Sequence, residues 1–181
     1  MLIFLFKEDS RMEQYKAELI LYSENYPIER KIQVRFKASL YDLATFLFTS
    51  LMEKEVREKY SFLFRFDDTI YLTKKEEQET GYGYSDGTYH LLDEESFLNV
   101  VLRNPKKLFF ELSDYSAKGN LVFPMSVTSV TRADDEDDIV LLDGKNILGE
   151  NRKEESVPLS SIAALIQKDW KEVKKENRYR D

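Results

Sequence analysis

His90 is the one imidazole in a chain of 181 residues, so any acid–base chemistry that needs a group titrating near neutrality must pass through it. Carboxylates are abundant: 34 Asp and Glu against 27 Lys and Arg. At that density adjacent pairs such as Asp67/Asp68 and Glu94/Glu95 arise by chance, and they become acid–base partners only where burial drives their pKa values apart. They are assigned no catalytic role. A hydrolytic triad also wants a serine on a sharp strand-to-helix turn, and no G-x-S-x-G pattern occurs. The absence of cysteine removes thiolate nucleophiles and Cys-based metal sites, and a single histidine removes the multi-His motifs. Any metal chemistry would be oxygen-only. Asp134, Asp135, Glu136, Asp137 and Asp138 invite that reading, but an EF-hand loop spaces its ligands around a central glycine, and these five are consecutive. The run reads as a solvated connection, and neither metal nor cofactor is expected.

What remains is binding. Gly81-Tyr82-Gly83-Tyr84-Ser85-Asp86-Gly87 joins backbone freedom to two tyrosines, which give large, rigid contact surfaces with a polar tip. No Lys-Ser/Thr follows the glycines, so the segment is not a phosphate-cradling P-loop. The candidate binding residues are Tyr82, Tyr84, Asp86 and His90 from this loop, with Asp114 and Tyr115 from the connection 114–120. For His90 the simpler role is a partly buried structural one at the entry to a helix.

The elements that must hold these loops follow from periodicity. Residues 15–22 and 30–36 alternate apolar and polar, with Ile32, Val34 and Phe36 on one face, and the Ser-Glu-Asn-Tyr-Pro stretch between them reads as the turn of an antiparallel hairpin. Ser39 and Asp42 form an N-terminal cap ahead of Leu40, Leu43, Leu47 and Leu51, which predicts a helix over about 40–54 lying across a sheet. Phe62, Phe64 and Phe66 mark a strand, with a tight turn and a second strand at 69–73. Residues 74–89 read as a long loop. Asp93 is the expected cap of a second helix, stapled by Leu92 and Phe97, continued by Leu98, Val101 and Leu102, and stopped by Asn104-Pro105. Two more strands follow near 108–112 and 121–127. Pro124 cannot donate to a ladder, which predicts a sheet edge or a bulge there. Residues 139–142 form a short strand ending in an Asp143-Gly144 turn. Leu159, Ile162, Leu165, Ile166, Trp170 and Val173 share one face of a C-terminal helix.

The fold class expected is therefore α+β, a mostly antiparallel sheet packed by a long helix, with a C-terminal helix. Residues 1–150 make a single domain, and residues 151–181 carry the amphipathic helix that packs on or next to it. A net charge of −7 disfavours a phosphate backbone as a general partner. Interleaved signs along 168–181 read as an exposed helix face with i,i+4 pairs. No apolar run approaches the roughly 18 residues of a membrane span. A cytoplasmic location is expected, without a membrane partner.

In its order of elements the chain resembles the plasmid pRiA4b open-reading-frame-three-like family, which includes passenger proteins of bacterial insertion elements. Residues 15–36, with Tyr26-Pro27-Ile28-Glu29-Arg30-Lys31-Ile32, resemble that family's first strand, its Pro-x-Trp-Arg-Arg-Ile turn and its second strand, with Glu29 where the family has Trp. Leu40-Tyr41-Asp42-Leu43 resembles its helix start, residues 109–127 the strand pair around its Tyr-Asp-Phe-Gly-Asp motif, and Asp143-Gly144 a later turn. The resemblance implies a β-grasp-like arrangement and brings no established enzymatic activity. The expected function is a non-enzymatic binding or scaffold protein with a protein or small-molecule partner in the bacterial cytoplasm. One alternative is a nucleic-acid-associated accessory protein of mobile elements, motivated by the family's company and by outward Lys31, Arg35 and Arg65. The other is a hydrolase or transferase using His90 with a carboxylate.

Overall fold

The structure is a computed structural model that describes residues 12–23, 26–76, 88–114, 120–134, 137–149, 154–155 and 159–176. Eight strands form one sheet: β1 (Tyr15–Tyr22), β2 (Glu29–Arg35), β3 (Tyr60–Phe66), β4 (Thr69–Leu72), β5 (Thr88–Leu91), β6 (Leu108–Asp114), β7 (Asn120–Arg132) and β8 (Ile139–Lys145). Their order is β5-β4-β3-β6-β7-β1-β2-β8. Every neighbouring pair is antiparallel except β4 and β5, which run parallel. A short pair, β9 (Ile147–Leu148) and β10 (Glu154–Glu155), lies apart from it. The helices are α1 (Leu40–Leu51), α2 (Phe97–Arg103) and α3 (Leu159–Glu176). The α+β class and the dominance of antiparallel pairing follow the sequence reading. Among the described residues no helix is long and apolar enough to cross a membrane.

α1 is the centre of the core. Its cap is as expected, with the Ser39 hydroxyl accepting from the Asp42 N–H at 3.0 Å. The helix is buried on almost every side, not only on the Leu stripe: Tyr41, Thr45, Phe46, Phe48, Thr49 and Ser50 are inside as well. It can be so because the hydroxyls of Thr45, Thr49 and Ser50 donate to carbonyls of their own helix. The sheet covers one side through Phe48 and Phe62, whose rings lie 4.8 Å apart, and α3 covers another through an edge-on contact of Phe46 and Trp170 at 5.6 Å.

α1 ends at Leu51, three residues short of the expected end, because Met52 turns extended and bridges to Leu148. Its last carbonyls are met by two buried arginines. Arg30 donates to the Ser50 carbonyl, and Arg57 donates to those of Thr49 and Met52. Cations at a helix C-terminus also complement its dipole. Arg57 continues to Asp169 of α3 at 2.8 Å, both side chains being buried. Asp169→Asn keeps the shape and removes the compensating charge, so it should cost about 2 kcal/mol. In a chain of this size that is a fall of about 4–8 °C in Tm. An unchanged Tm would mean that the pair contributes nothing net.

Five local expectations are corrected. Residues 88–91 are not loop: they form β5, which puts His90 in a strand instead of at a helix entry. Asp93 does not cap α2. Leu92–Glu94 closes a single 3-10 turn, Glu95 is extended, and Ser96 caps the helix by accepting from the Asn99 N–H at 3.2 Å. The chain restarts there because Ser39 and Ser96 bridge, with Leu40 N–H donating to the Glu95 carbonyl and Phe97 N–H to that of Ala38, which ties the two helix starts together. In α2 the buried residues are Phe97 and Val100, and Leu102 faces out.

Pro124 sits in an interior strand. It pairs with Phe109 of β6, while the β1 ladder starts only at Met125, and the bulge of β7 lies further on, between the partners of Glu18 and Leu19. Asp143-Gly144 is not a turn but part of β8, beside a second irregularity at Lys31/Ile32, and the chain turns at Asn146 (φ 62). Gly144 is needed for space, since a Cβ there would meet the Glu29 carbonyl oxygen at 2.8 Å. In α3, Leu165 lies outside the buried face, and Asp169 takes a place in it.

Candidate functional site

Register and helical spacing together assemble a polar cluster around His90. In the parallel β4–β5 pair His90 stands opposite Tyr71, and the two rings stack with centroids 5.3 Å apart and planes at 22°. The turn after β5 then brings Glu95 back under the imidazole, with Nδ1 3.2 Å from its Oε1. Glu95, Asn99 and Arg103 follow at helical intervals of four and so share one face. Asn99 Nδ2 donates to Glu95 Oε2 at 3.1 Å, and Arg103 donates to Glu95 Oε1 at 3.1 Å and to the Tyr71 hydroxyl at 2.8 Å.

Glu95 is buried, yet both its oxygens are occupied, which is how a carboxylate tolerates the interior. Burial raises the Tyr71 hydroxyl above its ordinary pKa, with Glu95 adding to the rise and the hydrogen bond from Arg103 opposing it. Burial alone would lower Arg103, but the hydrogen bonds to Glu95 and Tyr71 outweigh it and hold the guanidinium above its usual value. The inner edge of the cluster is thus fixed. The outer edge is open: the His90 and Arg103 side chains are 35% and 44% exposed. Chemically the arrangement offers one imidazole nitrogen and part of one guanidinium, both oriented from behind by a single carboxylate.

Of the residues expected from sequence, Tyr82, Tyr84, Asp86 and Tyr115 lie outside the described residues. Asp114 ends β6, and its side chain is likewise outside the description. His90 and the backbone of Asp114 are not brought together. Three strand spacings and four residues separate them, about 14 Å in each direction. Tyr71, Asn99 and Arg103 were missed, although the i, i+4, i+8 spacing of Glu95, Asn99 and Arg103 was a readable signal.

The cations expected to face out have acidic neighbours. Lys31 lies 3.6 Å from Glu18 and Arg65 2.9 Å from Glu111. Asp138 of the acidic run lies 3.7 Å from Lys37. Among the described residues, no group of three or more His, Asp or Glu side chains is gathered as a metal site would need.

No family model matches this chain, and no curated protein matches it in sequence. Its fold is similar to that in the crystal structure of a protein of unknown function, MM3350, from Methanosarcina mazei Go1. The TM-score is 0.58 at 13% identity, over 91% of this chain and 85% of that one. Likeness at that identity is a likeness of fold.

Proposed function

We propose that this chain is a non-enzymatic binding or scaffold protein of the bacterial cytoplasm, and that the His90–Arg103 edge is a contact surface for an anionic group on its protein or small-molecule partner. The observation that carries this reading is the shared use of Glu95 Oε1 by His90 and Arg103. One buried carboxylate presets two donors whose outer edges face solvent, so little side-chain freedom is lost when an acceptor arrives. The order hairpin, helix, hairpin with the helix across the sheet supports a β-grasp-like description and membership in the pRiA4b open-reading-frame-three-like family.

His90 is the only histidine, so its ring protons can be assigned in an NMR spectrum without mutagenesis. Titration with inorganic phosphate and with citrate at constant pH should move the His90 ring signal in a saturable way, and Arg103→Gln should abolish the effect. A ring signal that does not move would end the reading.

The second reading, a hydrolase or transferase, is favoured by the same 3.2 Å contact, since a carboxylate behind an imidazole orients it for proton transfer. Turnover of p-nitrophenyl acetate or p-nitrophenyl phosphate that is lost in His90→Gln would replace the binding reading with this one.

A further inference from the structure

The sheet is covered by helices on one face only. Strand alternation sends Leu19, Leu21, Phe110, Phe123 and Met125 to the helix side, where they are buried, and sends Tyr22, Phe109, Val122 and Pro124 to the other. Among the described residues no helix crosses that second face at β1, β7 and β6. Tyr22 and Val122 are 39% and 41% exposed there.

Register places a continuous row across it. Lys145 pairs with Glu29, and Glu29 with Tyr22. Tyr22 stands level with Pro124, one step beyond the pairing of Leu21 with Met125. Pro124 pairs with Phe109, and Phe109 with Arg65. The row therefore has an apolar middle, Tyr22-Pro124-Phe109, with an acid on one side and a base on the other.

We infer that this face is the interface of a homodimer, two sheets packed face to face about a two-fold axis running along β7. That axis reverses the row. Tyr22 then meets the partner's Phe109, Glu29 meets the partner's Arg65, and Val122 lies close to its own copy on the axis. Aromatic faces aromatic and acid faces base, at the roughly 10 Å spacing of packed sheets, which both long side chains can span. An apolar centre inside a charged rim is the usual anatomy of such a contact.

Single-stranded nucleic acid also uses aromatic sheet faces, but it needs cations free for phosphate. On this face Lys31, Arg65 and Lys145 each lie within ion-pair distance of a carboxylate, Glu18, Glu111 and Glu29 respectively. Charge matching therefore favours a second copy.

Sedimentation equilibrium of the full chain should show a monomer–dimer equilibrium at concentrations up to about 200 µM, within the range typical of interfaces of this kind. Tyr22→Asp should weaken the dimer by tenfold or more. Glu29→Lys, which sets a lysine against the partner's Arg65, should weaken it by about tenfold, and Glu29→Lys with Arg65→Glu should restore it. A wild-type chain that stays monomeric throughout overturns the inference. So does a dimer indifferent to Tyr22→Asp, or a folded double variant that fails to recover. Circular dichroism checks folding, and if the double variant is unfolded the two single variants decide. Binding of a single-stranded oligonucleotide that is lost in Tyr22→Asp would overturn it in favour of nucleic acid.

Discussion

Leu47→Asp is expected to leave the chain without a cooperative folding transition. Leu47 lies in the middle of α1 with no exposed surface, inside the cluster that joins the sheet to both longer helices. Truncating a buried leucine costs about 2–5 kcal/mol through lost transfer energy and the cavity left behind. An unpaired carboxylate in the same place adds several more, because α1 already uses its hydroxyls on its own carbonyls and offers the newcomer no donor. The sum is comparable to the whole stability of an ordinary domain, about 5–15 kcal/mol. Near-UV circular dichroism and thermal scanning would register the loss. Leu165→Asp is the control. Periodicity puts Leu165 on the same kind of apolar stripe, but its side is 46% exposed, so Tm should move by no more than about 2 °C. If the two variants behave alike, α1 is not the centre of the core.

That contrast also marks what could be read from the chain alone. The hairpin, the Ser39 cap, the α1 stripe and the alternation of β3 were legible because each is a local rule whose answer the tertiary structure then shares. The errors fall where a long-range partner overrides a local rule. Asp93 looks like a cap, but pairing with the start of α1 moves the cap to Ser96. Pro124 looks like an edge residue, but β7 is long enough for β1 to begin pairing just past it. Asp143-Gly144 looks like a turn, but the glycine is there to let the Glu29 carbonyl and Arg30 come close. Leu165 fits the stripe, but a buried Arg57 reaching across from the end of α1 needs Asp169 on the packed face. The candidate site divides in the same way. His90 could be singled out by being alone, and the helical spacing of Glu95, Asn99 and Arg103 was visible. Tyr71 enters only through the parallel pairing of β4 with β5, a non-local contact that no window of sequence contains.

Replacing Arg30 should be the next most damaging change, and its pH dependence identifies the reason. The side chain is fully buried, and its guanidinium donates to the carbonyls of Ser50, Glu29, Lys145 and Asn146, joining the end of α1 to β2 and to the end of β8. No carboxylate is among these partners, so the acceptors are backbone dipoles alone. Arg30→Met keeps most of the volume but leaves the four carbonyls without those donors, and it should cost on the order of 4 kcal/mol after partial rescue by water. Arg30→Lys is not a conservative exchange, because a compact ammonium with three donors cannot serve four acceptors that match a planar fork. Burial already draws Arg30 down to about 10, still protonated at neutral pH. A lysine starts from about 10.4 when unperturbed, and the same burial depresses it further in the folded state than in the unfolded one. The unfolded chain then holds more protons than the folded chain, so stability of the variant rises with pH once its folded pKa is passed. Denaturation in urea at several pH values should therefore find the gap between Arg30→Lys and wild type widest near pH 7 and narrowing toward about pH 9 to 10. A gap that stays constant over that range would mean that the lysine reaches solvent and that the four carbonyls do not enclose the cation.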